Sequence, residues 1–164
     1  MSKLDTNLSV HEIEDAIILR CTNGIRNNII VPNVSWGMGI NYEADLIVLN
    51  RQGYATEYEI KRSYSDFVAD FAKDEDAHKA PWVYRFYYVL PLSIKDKSEE
   101  FIQYTGIEKP AVLFYDENGK FTSNDGYPYV KGGRKMFLEE QLKLARLGVM
   151  RYWNLREKQT KELL

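Results

Sequence analysis

Apolar positions along the chain change period several times, and each change marks an element. Ser9-Val10-His11-Glu12 has the form of a capping box, in which a serine and a glutamate three residues on satisfy each other's backbone N–H groups. It opens a helix in which Val10, Ile13, Ile17, Ile18 and Cys21 share one face at helical spacing, and Asn23-Gly24 ends it. Ile29 to Ser35 reads as a strand, held to an edge or a bulge by Pro32. Strands from Tyr42 to Asn50 and from Tyr54 to Lys61 follow. Arg51-Gln52-Gly53 joins them as a three-residue hairpin loop with glycine in the left-handed position.

A second helix starts near Ser65 and turns Phe67, Val68, Phe71 and Ala72 inward. Val83 to Leu90 and Ala111 to Tyr115 read as further strands, with a short helix within 93–104 between them. Residues 122–134 read as loop. The stretch from Lys135 to about Lys161 is helical, broken near Gly148. Interleaved strands and helices predict an α/β fold, a central mixed β-sheet flanked by helices with a C-terminal helical extension. At 164 residues the chain fits one domain, its core over about 9–115 and its loop and helical extension over about 116–164.

The hairpin register has a chemical consequence. With Asn50 opposite Tyr54, Asp45 faces Glu59 and Glu43 faces Lys61. Glu57, Glu59 and Lys61 also share a face by period two, so five charged groups cluster on one side of one hairpin. A one-residue slip would send Asp45 and Glu59 to opposite faces. Carboxylates and a lysine inside apolar strands cost free energy unless they are paired, and a divalent metal with a phosphate pairs with all three. Asp45 and Glu59 are oxygen donors suited to Mg²⁺, with Mn²⁺ as substitute, and the Ile60 backbone carbonyl offers a third donor. Lys61 is placed to contact a scissile phosphate or orient a water. Glu14 projects into the apolar stripe of the first helix and needs a partner, either this site, a core-edge arginine or solvent. Glu57 and Glu43 are candidates for a second metal or for support around the first; Glu57 is alternatively the solvated end of its strand.

Asp45, followed by Glu59-Ile60-Lys61 on the next strand and preceded by a helix bearing Glu14, resembles the PD-(D/E)XK nuclease superfamily. The stretch from Glu59 through Ser63, Asp66-Phe67 and Asp70 to Lys73 is similar to a small bacterial branch, the MmcB-like DNA-repair proteins. The resemblance covers about residues 9 to 91, with Glu43-Ala44-Asp45 in place of Pro-Asp. It implies a restriction-endonuclease-like core and Mg²⁺-dependent cleavage of DNA, less often RNA, in repair or foreign-DNA processing. In that scheme Asp45 and Glu59 are metal ligands, Lys61 the catalytic lysine and Glu14 the helix-borne acid. The competing expectation is a non-catalytic module of the same fold that binds nucleic acid or a protein partner, as a homodimer or as a subunit of a larger complex.

Composition narrows the remainder. A net charge of −2 gives no global attraction to nucleic acid, so any phosphate-binding surface is a local patch. Ser63, Ser65, Lys73 and the basic stretch Lys131-Gly132-Gly133-Arg134-Lys135 are the candidates for substrate contact, with Tyr127 and Tyr129 able to stack on unpaired bases. Helix capping explains Ser63, Ser65 and Asp66 adequately, and Asp70 and Lys73 read as a solvated helix face, with contact to a substrate groove as the alternative. The single cysteine excludes an internal disulfide, and His11 and His78 lack ligand spacing for zinc. No run is long enough to span a membrane, no secretory signal is present, and a cytoplasmic location is the expectation.

Overall fold

The computed structural model of the chain describes residues 4–21, 24–35, 37–71, 80–105, 111–122, 129–130 and 132–162. The capping box closes as expected: Ser9 N–H donates to Glu12 Oε2 at 2.8 Å and Glu12 N–H donates to Ser9 Oγ at 3.3 Å. Helix α1 then runs over Val10–Arg20 and buries Ile13, Glu14 and Ile17. Strands β1 (Asn28–Val34), β2 (Ala44–Asn50) and β3 (Ala55–Ile60) precede helix α2 (Tyr64–Asp70) and strand β4 (Val83–Pro91). A 3-10 turn at Leu92–Ile94 leads into α3 (Lys95–Thr105). Strands β5 (Val112–Tyr115) and β6 (Tyr129–Val130) and the 25-residue helix α4 (Leu138–Glu162) complete the order.

The sheet order is β1-β2-β3-β4-β5. The first three strands are antiparallel, β3–β4 and β4–β5 are parallel, and β6 pairs antiparallel with β4. Alternation along the strands divides the core between two faces. On one face, Leu46 and Val48 of β2, Tyr58 and Ile60 of β3, and Val89, Leu113 and Tyr115 pack under Ile13 and Ile17 of α1. On the other, Ile47, Leu49 and Ala55 pack against Leu144 of α4, and Phe86, Tyr88, Leu90 and Phe114 against Phe67 of α2 and Ile102 of α3. The sheet is therefore mixed and carries helices on both sides. β4 and β5 read as near-continuous apolar runs because both of their faces are covered.

Two elements differ from expectation. Helix α4 is unbroken at Gly148, since that residue faces β1. A Cβ there would lie 3.1 Å from Val31 Cγ2, so glycine permits the close approach of helix to strand. The region 122–134 contains the short strand β6, which pairs antiparallel with β4 at Arg85 and Phe86. Among the described residues no helix is long and apolar enough to cross a membrane.

Candidate active site

The β2–β3 hairpin fixes the site. Gly53 sits at φ +88 in the three-residue loop, and Asn50 N–H donates to the Tyr54 carbonyl at 3.0 Å. Pairing then runs Leu49↔Ala55, Val48↔Thr56, Ile47↔Glu57 and Leu46↔Tyr58. One residue further, that register sets Asp45 across from Glu59, as the sequence pattern requires. The ladder yields there to a side chain: Ile60 N–H donates to Asp45 Oδ2 at 2.7 Å. By strand geometry the Ile60 carbonyl lies along the same edge as its N–H, beside Asp45. Asp45 is partly buried, whereas Glu59 and Lys61 are 3% and 4% exposed.

Lys61 Nζ donates to Glu59 Oε1 at 2.6 Å and also lies 3.0 Å from Asp70 Oδ1. Burial works against the ammonium charge. The Glu59 and Asp70 carboxylates outweigh it and hold the lysine above its ordinary pKa. Asp70 comes from the last position of α2, its carboxylate fully buried, and Tyr88 Oη on β4 donates to its Oδ2 at 2.8 Å. Burial raises the Tyr88 phenol, and the adjoining Asp70 charge raises it further. A similar pair lies one step along β3, where Tyr42 Oη donates to Glu57 Oε2 at 2.9 Å. The Tyr42 phenol is likewise raised, by burial first and then by Glu57. Glu57 is completely buried and is not the solvated end of a strand, because Ile47 and Phe86 flank it in the sheet.

The expected constellation is thus assembled in part. Asp45, Glu57, Glu59 and Lys61 share the face covered by α2 and α4. Glu43 precedes β2 and is exposed. Glu14 is buried, but α1 lies on the opposite face of the sheet and the side chain pairs with His11 Nδ1 at 3.0 Å. Ser63 is buried and caps α2, accepting from Asp66 N–H at 3.2 Å and bonding Ser65 Oγ at 3.1 Å. The basic stretch is held at the far end of the strands: Met136 N–H donates to the Gly53 carbonyl, and a Cβ on Gly53 would meet Lys135 Cε at 2.8 Å. Glu59 lies six positions after Gly53, about 20 Å of extended chain. Arg134 is engaged there by Glu140 through two bonds of 2.7 Å. Lys73, His78, Tyr127 and Lys131 lie outside the described residues, as does the side chain of Tyr129.

Asp70 lies on neither a solvated helix face nor an open groove: it is 4% exposed and pairs with Lys61, a role in the cluster that strand periodicity does not give. Its signal was present: Phe67 and Asp70 are three apart on one helix, hence on one face, and Phe67 is fully buried. Tyr42 and Tyr88 carry no such local signal, since their partners are distant in sequence. For a metal, the donor set is chemically suitable. Mg²⁺ is commonly held by one or two carboxylates with several waters, and Asp45 and Glu59 supply two on one face. Among the described residues no group of three or more Asp, Glu, His or Cys side chains is arranged to hold an ion.

Comparison with known proteins adds a fold-level likeness. No family model matches the chain and no curated protein matches it. A solved structure of a protein of unknown function from Silicibacter pomeroyi is similar to it, with a TM-score of 0.56 and 13% identity over 92% of this chain and 91% of that one. At that identity the likeness bears on architecture alone.

Proposed function

We propose that the chain is a divalent-metal-dependent nuclease of the PD-(D/E)XK type, using Mg²⁺ or Mn²⁺, with DNA as substrate in preference to RNA. The observation that carries the reading is the hairpin register, which sets Asp45 beside Glu59 and puts Lys61 on the same face two residues on. Asp45 and Glu59 would hold the ion, with the Ile60 carbonyl at the same edge. When bound, the ion neutralises phosphate charge and lowers the pKa of an attacking water. Lys61 stays protonated across the physiological range and supplies a fixed positive charge for the phosphate. Asp70 and Tyr88 hold that ammonium in place. Glu14 stands outside this set, its carboxylate being engaged by His11 across the sheet.

The test is cleavage of single-stranded, double-stranded and branched DNA with Mg²⁺ or Mn²⁺. The parent should cleave at least one of these, while Asp45→Asn, Glu59→Gln and Lys61→Ala should each lose most activity. Cleavage undiminished in Asp45→Asn would end the proposal.

One observation favours a second reading, a non-catalytic module that binds nucleic acid or a partner. Lys61 is clamped by two carboxylates, and one oxygen of Asp45 is committed to the backbone, as in a purely structural charge network. Under that reading DNA is retained equally in EDTA and in Mg²⁺.

A further inference from the structure

We infer that Lys61 and a divalent cation compete for Glu59, and that Asp70 is the positioning residue that receives the lysine when the cation binds. The inference rests on the metal-dependent reading above and extends it to a residue outside the Asp-Glu-x-Lys pattern. Its basis is the shared ammonium. Nζ lies 2.6 Å from Glu59 Oε1 and 3.0 Å from Asp70 Oδ1, so two anionic acceptors from different elements hold one cation at once. All three side chains are 6% exposed or less, which leaves little water to replace either contact.

Two positive charges cannot share one buried carboxylate without strong mutual repulsion. An ion drawn to Glu59 therefore displaces the ammonium from it. Lys61 need not be expelled to solvent, because its second acceptor is already in contact. Tyr88 fixes that acceptor: its hydroxyl donates to Oδ2 of Asp70 and leaves Oδ1 turned to the lysine. Asp70 sits on α2 and Glu59 on β3, so the exchange moves the ammonium away from the ligand and keeps it beside the site.

The experiment is calorimetric titration of Mn²⁺ into the full chain without nucleic acid, comparing the parent with Lys61→Met, Asp70→Asn and Tyr88→Phe. Removing the competitor in Lys61→Met should tighten Mn²⁺ binding by about tenfold, and Asp70→Asn should weaken it by about tenfold, a usual size for coupling between two ligands. Tyr88→Phe should shift it as Asp70→Asn does, by less. Charge deletion alone gives the first two signs, so Tyr88→Phe, which changes no charge, separates the exchange from a fixed field, and an unchanged Kd there overturns the exchange. Should Lys61→Met not fold, the signs in Asp70→Asn and Tyr88→Phe decide; where it folds, Mn²⁺ should also raise its melting temperature more than that of the parent. Mn²⁺ bound by the parent with an unchanged or weaker Kd in Lys61→Met, or an unchanged or tighter one in Asp70→Asn, overturns the exchange and leaves the metal site standing. No Mn²⁺ bound by any of the four overturns both.

Discussion

Replacing Lys61 with methionine removes the cation between two carboxylates while keeping most of the side-chain volume. The Lys61, Glu59 and Asp70 side chains are 6%, 4% and 0% exposed, so water cannot take over the lost contact. Breaking a buried ion pair by deleting one partner costs about 3–5 kcal/mol, mainly because the remaining charge is stranded. For a chain of 164 residues, each kcal/mol shifts the melting temperature by about 2–4 °C, so a fall of about 6–20 °C is expected. Urea denaturation should show the same loss with an unchanged m-value. Adding Glu59→Gln and Asp70→Asn to the same chain should recover much of it, because the two buried carboxylates no longer repel each other across the place the ammonium held. A loss below about 1 kcal/mol in the single variant, or no recovery in the triple one, would refute the view that these three groups form one tightly coupled buried cluster.

Alkaline pH provides a second check. Burial raises the phenols of Tyr42, Tyr58 and Tyr88, and pushes Tyr115 up to about 12, while Glu59 and Asp70 raise Lys61. Each of these groups binds its proton more tightly when folded, so the unfolded chain releases protons first as pH rises. The stabilisation they give is complete below their unfolded values of about 10 and drains away above them. Denaturation at pH 8, 10 and 11 should show a plateau followed by a fall; stability that rises above pH 10 contradicts the burial of these phenols. At the hairpin, Gly53→Ala places a Cβ at φ +88 and within 2.9 Å of Lys135 and Gln141 side chains. A loss of at least about 1 kcal/mol is expected in equilibrium unfolding, and a neutral result would mean the loop has another geometry.

How much of this was legible in the sequence depends on the range of each interaction. The β2–β3 register was legible because Gly53 set a three-residue turn, which fixes the pairing that follows; Leu46-Ile47-Val48-Leu49 is apolar on both faces and adds nothing to the register. The capping box at Ser9 and the cap at Ser63 were equally local. The fate of Glu57 was not, for its partner Tyr42 reads as the first residue of the strand but lies two residues before β2, and Phe86 covers Glu57 from β4. Glu14 was rightly expected in a core-facing stripe, but helical periodicity does not say which face of the sheet receives the helix, and α1 covers the face away from Glu59. The basic stretch around Arg134 was distant from any element whose pairing could be read, and Met136 ties it to the hairpin tip. A mid-helix glycine lowers propensity, so in the sequence Gly148 reads as a break. Its packing role becomes visible only once β1 lies against α4.

On the proposed reading, a cation is held by the carboxylates of Asp45 and Glu59. Anomalous diffraction from crystals soaked in Mn²⁺ tests it without reference to any substrate. A manganese peak between these two carboxylates, abolished in Asp45→Asn, is the result expected. No peak there, in crystals whose hairpin register matches the one described, contradicts it.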